Sequence, residues 1–446
     1  MVSLGCPKNQ VDTERILASF ALAGWMICED PADADLILIN TCSFIESARD
    51  EALAEIERAV QLKQEGLCQA VAVVGCLVQL WGRDFPRRCP AVDAWAGICE
   101  PDHVVALCEK ALQRTGASGS LVQRARSDIG PRLRITPRHY AYLRVAEGCD
   151  NRCAYCQIPS IRGPLCSRPM DEILDEAREL HDDGVLELCL IAQDTAAYGV
   201  DLYREGRLPE LIRQLSALDM FHWIRLLYVH PAHCSDELIR TVAQTPHACK
   251  YLDLPIQHIN DELLERMNRR TTGEGIRRLI GKLREQIDGL VLRTSLIVGL
   301  PGETLERFEE LMAFVKGTQF ERLGAFAYSP EAGTAAATLD GQVPAGETIR
   351  RLDELMLAHQ QIALEHAQSR VGQKIECVVD AASAGGRWSG RTYGDAPEID
   401  TIIELTGRGL HPGAFGTATV TAANGYDLAG RMDVRDDDQP AESGHA

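Results

Sequence analysis

The sequence predicts an α/β protein with three folded parts, and three patterns along its 446 residues lead to this prediction. From residue 1 to about 110, apolar runs alternate with amphipathic stretches, which is typical of a parallel sheet whose strands are joined by helices. Six strand-then-helix units from about 140 to 368 predict an open, partial β/α barrel. From 372 to about 434, short alternating runs between glycine-rich turns predict a small antiparallel β-barrel.

The boundaries of these parts follow from composition. Residues 112–137 mix glycine and proline with polar residues, which indicates a linker between an N-terminal domain over 1–111 and a barrel over 138–368. A long charged helix over 345–370 ends the barrel, and the small β-barrel covers 369–435. Residues 436–446 have almost nothing apolar to bury and are predicted to be disordered. The predicted barrel strands are 140–145, 187–192, 222–228, 251–254, 290–298 and 322–328.

The composition restricts the class of protein. Hydrophobic residues make up 45% and charged residues 25%, as in a globular chain, and no run approaches the ~20 apolar residues that cross a membrane. Without a recognisable secretion signal, we expect a cytoplasmic protein, in which 16 cysteines stay reduced and metal binding is their leading use. The net charge of −19 disfavours nucleic-acid backbones and favours a basic partner.

Three cysteines follow the first predicted barrel strand with the spacing C-x3-C-x2-C. They are Cys149, Cys153 and Cys156. One loop carrying three thiolates can hold three corners of a 4Fe-4S cluster and leave the fourth iron open to a small molecule. The alternative is a structural zinc site, but such sites usually have four protein ligands, and Cys166 lies ten residues further on.

Three apolar runs of the N-terminal domain also end in a cysteine. These residues are Cys6, Cys42 and Cys76. The carboxyl ends of parallel strands share one edge of a sheet, so the three thiols can converge there and bind a second cluster. The alternative is that they are buried cysteines with a packing role. The other ten cysteines show no such pattern and are interpreted as structural thiols.

Nearly the whole chain resembles the radical S-adenosylmethionine (SAM) methylthiotransferase family. The likeness rests on both cysteine triads, with Tyr155 before the last cysteine of the barrel motif, on segments 3–9 and 40–45, and on the order of the three domains, the last being of the TRAM type. It implies two 4Fe-4S clusters and bound SAM. It further implies that SAM is contacted by Tyr155, Gln193, Gln257, Gly299 and Glu303, with Arg225 and Tyr228 as further candidates. The alternative role for these residues is structural hydrogen bonding.

One branch of this family modifies an adenosine in transfer RNA, and another modifies the β-carbon of an aspartate in the twelfth small-subunit ribosomal protein. Segment 390–400 resembles the ribosomal-protein branch and carries three carboxylates around a proline, Asp395, Glu398 and Asp400, which we predict to bind the substrate. The alternative is a solvated turn. From residue 372 onward only six residues are Lys or Arg, fewer than the acidic ones, which favours a basic ribosomal protein over transfer RNA.

The resemblance also implies a division of labour between the triads. The barrel triad would bind SAM and generate the radical that activates the substrate, and the N-terminal triad would hold sulfide for transfer as a methylthio group. An external electron donor such as a flavodoxin and a source of sulfide are then required. Two rival hypotheses are a transfer RNA methylthiotransferase and a non-catalytic RNA-binding module whose thiols hold zinc.

Overall fold

The computed structural model describes residues 1–113, 118–121 and 130–434. The N-terminal part is a five-stranded parallel sheet in the spatial order of the chain. Side chains of the first and last helices cover one face of the sheet, and the second and third helices cover the other. The elements are β1 (Val2–Ser3), α1 (Pro7–Leu22), β2 (Leu36–Thr41), α2 (Glu46–Gln64), β3 (Ala70–Gly75), α3 (Cys76–Trp81), α4 (Phe85–Arg88), β4 (Ala94–Ala96), α5 (Pro101–Leu112) and β5 (Ser118–Ser120).

The edge strand β5 lies inside the segment predicted to be a linker, which corrects that prediction in part. β5 pairs in parallel with β4, and its Gly119 lies against the ring of Trp95, where a Cβ atom would come within 1.9 Å of the ring. The sequence Ser-Gly-Ser has no alternation of apolar and polar residues, so this strand could not be predicted from the pattern. The neighbouring side chain of Trp95 covers it. The predicted disordered tail, 436–446, lies outside the described residues.

The central part contains the six predicted barrel strands, which pair in parallel in one open sheet. With the elements numbered along the chain as given below, the strand order is β13-β12-β11-β10-β9-β6. Its interior is mostly apolar and aromatic. The elements are β6 (Tyr140–Arg144), β7 (Ala146–Glu147), α6 (Ile158–Arg162), β8 (Cys166–Ser167), α7 (Met170–Asp182), β9 (Glu187–Ile191), α8 (Val200–Tyr203), α9 (Leu208–Ala217), β10 (Trp223–Leu226), α10 (Asp236–Gln244), β11 (Ala248–Asp253), α11 (Asp261–Arg266), α12 (Gly273–Gln286), β12 (Val291–Val298), α13 (Leu305–Thr318) and β13 (Arg322–Ala327).

A 25-residue helix, α14 (Ala345–Ser369), leads to a closed five-stranded barrel. Four of its strand pairs are antiparallel, as predicted, and the fifth pair is parallel. Its strands are β14 (Lys374–Ser383), β15 (Arg387–Thr392), β16 (Ile403–Thr406), β17 (Phe415–Asn424) and β18 (Asp427–Arg431). Within the described residues, none of the helices combines the length and the apolar character needed to span a bilayer.

The two outer domains pack against opposite ends of the central barrel. The C-terminal barrel meets the amino ends of its strands, where Glu376 accepts a hydrogen bond from the indole of Trp223 and Asp395 pairs with Arg322. The N-terminal domain meets the carboxyl ends, where the Lys8 ammonium lies over the ring of Tyr228. Parallel β/α barrels carry their chemistry at the carboxyl ends of the strands. The N-terminal domain therefore covers the end at which a site is expected.

A buried ionic cluster joins the N-terminal domain to the central barrel. Glu176 of α7 accepts from Arg15 of α1 at 3.0 Å and from Arg132 of the linker at 2.8 Å, and it pairs with Arg168 at 2.6 Å. Arg132 also pairs with Glu14 of α1. Buried charges require such partners, because an unpaired one would bear the full cost of lost hydration. The cluster fixes α1, and with it the N-terminal cysteines, relative to the barrel.

Candidate iron–sulfur centres at the domain interface

The barrel triad lies on the loop between β7 and α6, beyond the carboxyl end of β6. The backbone N–H of Cys149 donates to the carbonyl of Gly163 at 3.1 Å, and that of Cys156 donates to the carbonyl of Cys153 at 3.0 Å. Gly148 is required at the start of this loop: its φ is +69°, and a Cβ atom would lie 2.1 Å from the carbonyl oxygen of Pro164. These contacts fold the loop back on itself, so that its three half-exposed thiols share one space.

The pKa shifts of these cysteines are consistent with three thiols that lie close together. Burial raises the pKa of Cys149 to about 11 and that of Cys156 to about 12, and the charge on other members of the triad adds to both shifts. The guanidinium of Arg269 lies 3.8 Å from the Cys153 sulfur, and the backbone N–H of Ile158 donates to the Cys156 sulfur at 3.4 Å. Grouped thiols that repel one another as anions are suited to share a cationic metal centre, which displaces their protons.

The N-terminal triad forms at the carboxyl edge of the N-terminal sheet, as predicted from the strand ends. Cys42 directly follows β2, Cys76 directly follows β3, and Cys6 caps the start of α1 after β1. Gly5 has a φ of +94°, and a Cβ atom there would lie 2.7 Å from the Cys42 Cβ and 3.0 Å from its sulfur. A glycine at this position is therefore what allows the Cys6 and Cys42 segments to approach each other.

The three N-terminal thiols differ in their electrostatic surroundings. Burial would raise the pKa of Cys6, but the positive charges of Lys8 and Arg162, together with backbone hydrogen bonds, lower that pKa on balance. Burial raises the pKa of Cys76 to about 12 despite Arg162, and the charges of Cys6 and Cys42 contribute to the rise. Burial also raises the pKa of Cys42, with a smaller contribution from Cys6. The thiols thus interact as one group, and their donor set fits an iron–sulfur cluster.

Arg162 links the segment after the barrel triad to the N-terminal triad. It lies at the end of α6, just after the barrel triad, and its guanidinium donates to the Cys76 sulfur at 3.4 Å and to the Asn9 side-chain oxygen at 2.9 Å. It also pairs with Asp12 of α1 at 3.1 Å and with Glu147 of β7 at 3.0 Å. The N-terminal triad therefore lies against the helix that follows the barrel triad, at the carboxyl ends of the barrel strands.

The structure separates the predicted SAM contacts into two groups. Gln193 and Gln257 follow β9 and β11 at the carboxyl ends, and the Tyr155 hydroxyl accepts from Arg269 at 3.3 Å beside the barrel triad. The Gln193 amide donates to Glu147 at 2.6 Å, and its buried side-chain oxygen has no hydrogen-bond partner among the described residues. These three positions are compatible with SAM binding, and that role stays a prediction.

Gly299 and Glu303 both lie against α14, and their predicted contacts with SAM stay a prediction. A Cβ atom on Gly299 would lie 2.2 Å from the hydroxyl of Thr348 of α14. The Glu303 carboxylate is fully buried, pairs with Arg351 of α14 at 2.8 Å and accepts from the Gly299 N–H at 3.0 Å. These contacts agree with the alternative role of structural hydrogen bonding.

The predicted substrate carboxylates lie at the other end of the barrel. Asp395 is 1% exposed and pairs with Arg322 at 2.5 Å, and the Asp400 side chain, 4% exposed, pairs with Arg293 and accepts from the Tyr251 hydroxyl at 2.7 Å. Both residues attach the C-terminal barrel to the central one, and their role in substrate binding stays a prediction. The exposed Glu398 accepts from Tyr140 at 3.0 Å, and its role stays a prediction.

A cluster of one carboxylate and two imidazoles lies beside the barrel triad and was not predicted from the sequence. The Asp194 carboxylate accepts from Asn151 at 2.7 Å and pairs with His233 at 2.6 Å, and His230 lies close enough to complete a set of three potential metal ligands. Burial lowers the pKa of His230 to about 3, and hydrogen bonding to Asp194 raises that of His233. Asp194 follows β9 and both histidines follow β10, so these strand ends are the sequence signal that could have revealed the group.

The close approach at Gly5 gives a testable prediction. In the Gly5→Ala variant, the new Cβ would displace Cys42, so we expect iron and acid-labile sulfide to fall from about eight to about four atoms of each per chain after anaerobic reconstitution. The matched control is Gly24→Ala, which has a similar φ of +87° but nothing within 4 Å of the added carbon. Equal iron contents in the two variants would contradict the proposed packing of the triad.

Comparison with known proteins identifies the family. Family models match residues 1–97 (uncharacterized protein family UPF0004), 143–315 (radical SAM superfamily) and 371–432 (TRAM domain). A protein of Desulfitobacterium hafniense, ribosomal protein uS12 methylthiotransferase RimO, is 43% identical over 97% of this chain and 98% of its own length. The chain belongs to the ribosomal protein uS12 methylthiotransferase family. A relative of the same name from Heliobacterium modesticaldum is 42% identical and covers 96% of this chain and 94% of its own length.

Membership of this family confirms the resemblance inferred from the sequence and the fold class of its three parts. A solved structure, the radical SAM methyltransferase TsrM from Kitasatospora setae, has a TM-score of 0.47 at 15% identity and covers 83% of this chain and 71% of its own. That likeness is too distant to say anything about function. The family supports SAM and iron–sulfur chemistry for this chain and does not favour the transfer RNA alternative.

Proposed function

We propose that this chain is a cytoplasmic enzyme that adds a methylthio group to the β-carbon of an aspartate in ribosomal protein uS12. The observation that carries the proposal is that Arg162, which ends the helix that follows the barrel triad, places its guanidinium 3.4 Å from the Cys76 sulfur of the N-terminal triad. Family membership adds the substrate, since the closely similar relatives bear the name of a uS12 methylthiotransferase.

We assign Cys149, Cys153 and Cys156 to one 4Fe-4S cluster and Cys6, Cys42 and Cys76 to a second. When bound, the clusters and SAM supply the one-electron chemistry, the sulfur and the methyl group. The protein's own residues hold and orient these groups: the glycines at positions 5 and 148 allow the loops to close, and Arg162 ties the loops together. The N-terminal domain covers the carboxyl ends of the barrel strands and limits access of water to a reactive intermediate.

The charges of the C-terminal barrel favour a protein partner over RNA. One of its few basic residues, Arg391, is 3% exposed and pairs with Glu187 and Asp380. A module that binds RNA through phosphates would present such cations to solvent. A basic ribosomal protein is the better fit to an acidic enzyme. An external electron donor and a sulfide source complete the proposal.

The test is an anaerobic assay of the reconstituted chain with SAM, sulfide and a reductant, offered either purified uS12 or transfer RNA. We expect mass spectrometry to detect a methylthio group on an aspartate of uS12 and none on transfer RNA. Incorporation into RNA alone would reject the proposed substrate. Bound zinc without acid-labile sulfide would reject the enzymatic function as a whole.

A further inference from the structure

A buried lysine beside the N-terminal triad lies at the interface between the N-terminal domain and the central barrel. Lys8 lies in the first turn of α1, two residues after Cys6, and is 8% exposed. Its ammonium lies 3.4 Å from the centre of the Tyr228 ring, on the other side of the domain interface. The N-terminal domain therefore places a cation at the carboxyl ends of the barrel strands, where the substrate must meet both triads.

The aromatic platform beneath Lys8 is held rigidly. Tyr228 follows β10 with a φ of +61°, an unfavourable conformation for a bulky residue. Its backbone N–H donates to Asp253 at 3.0 Å, and its carbonyl accepts from the Thr195 N–H at 3.0 Å. Strained backbone fixed in this way is characteristic of functional sites. The Tyr228 ring, and the ammonium above it, thus have a defined position.

An ion pair requires a carboxylate oxygen within 4 Å of the ammonium nitrogen. Among the described residues, no carboxylate lies that close to Lys8. The nearby acids are engaged elsewhere: Asp253 pairs with Arg293 at 3.0 Å, and Glu147 pairs with Arg144 at 2.9 Å and with Arg162 at 3.0 Å. The Cys6 thiolate attracts Lys8 but is assigned to a cluster, where its charge is shared with iron. A cation–π contact compensates only in part for the lost hydration of a buried ammonium.

Arg162 strengthens the preference of this space for an anion. Its guanidinium is close enough to Lys8 for the two positive charges to repel each other, and it faces the same interface. A small anionic group entering between the triads would relieve this repulsion and give the Lys8 ammonium a hydrogen-bonded partner. The proposed substrate, an aspartate side chain of uS12, carries one such group, because its carboxylate is bonded directly to the β-carbon that reacts.

We propose that Lys8 binds the carboxylate of the substrate aspartate and thereby holds its β-carbon between the triads. Lys8 then determines specificity for an acidic side chain over an isosteric neutral one. This inference rests on the proposed function and deepens it. Lys8 acts here as a fixed positive charge in binding and neither donates nor removes a proton.

The test compares binding of two forms of uS12, one with the target aspartate and one with asparagine in its place, to the anaerobically reconstituted chain. We expect the wild-type protein to bind the aspartate form at least about tenfold more tightly, the difference expected for a hydrogen bond to a charged group. In Lys8→Met this discrimination should vanish, and in Lys8→Arg it should largely remain. Iron content and the Kd for SAM are measured on each variant, and Lys282→Met, a surface lysine paired with Asp236, is the control that should behave as wild type.

The outcomes separate this inference from the proposed function. If wild-type protein neither binds nor modifies uS12, the proposed function and the role of Lys8 both fail. If wild-type protein modifies uS12 but Lys8→Met still prefers the aspartate form, only the role of Lys8 is rejected. A weaker affinity for SAM in Lys8→Met, with discrimination between the two forms of uS12 intact, would assign the lysine to the SAM carboxylate and likewise overturn the inference.

Discussion

Cys76→Ala is expected to lose the methylthio product by at least roughly a hundredfold while still cleaving SAM to 5′-deoxyadenosine. The loss should exceed the 10- to 100-fold typical of groups that only orient a metal ligand, since a ligand itself is removed. Cys153→Ala should abolish both reactions. Each variant should retain about four of about eight irons per chain, because one cluster survives in each. Product analysis by mass spectrometry, with iron and sulfide determination, measures all three quantities.

Cys108→Ala is the matched control for Cys76→Ala. Cys108 is 1% exposed in the same domain, and burial raises its pKa to about 12 as it does for Cys76, but it packs in the apolar core away from the triad. We expect it to keep full iron content and activity. If Cys76→Ala also retained product formation, sulfur could not come from the N-terminal triad.

Glu176→Gln is expected to lower the free energy of unfolding by about 3 kcal/mol, because it leaves three arginines, from the N-terminal domain, the linker and the central barrel, without their shared carboxylate. These are Arg15, Arg132 and Arg168. Since this cluster fixes α1 against the barrel, the variant should also lose activity at temperatures where it is still folded. Chemical denaturation at pH 7 measures the stability, and Glu179→Gln, exposed on the same helix, should be unchanged.

The pH dependence of this effect has a definite sign. Although burial alone would raise the pKa of Glu176, the three arginines lower it from 4.5 to about 2. A carboxyl group whose pKa is depressed by folding stabilises the fold above its unfolded pKa, and this contribution is lost as the pH falls toward the folded value. The stability difference between wild type and Glu176→Gln should therefore shrink between pH 5 and pH 2. A difference independent of pH would contradict the ionic origin of the effect.

Local patterns in the sequence were sufficient to predict the positions of the barrel strands and the grouping of the cysteines into two triads. The six barrel strands are found within a few residues of their predicted bounds, because each is an apolar run followed by a helical pattern. Cys6, Cys42 and Cys76 could be grouped because parallel strands end at one edge. The sequence did not reveal contacts with partners distant in the chain. Asp395 and Glu303, predicted to bind ligands, pair with Arg322 and Arg351, and neither arginine lies near its partner in the sequence.

The sequence by itself determined the fold class, the family and the two sets of three thiols, since each rests on spacing within a short segment or on the ends of consecutive elements. Only the tertiary structure decided which charged side chains lie at the domain interface beside the N-terminal triad. Arg162 reaches Cys76 across 86 positions of the chain, and Lys8 reaches Tyr228 across a domain interface. Such contacts depend on how folded domains pack against each other, and no periodicity or motif within a single segment encodes that arrangement.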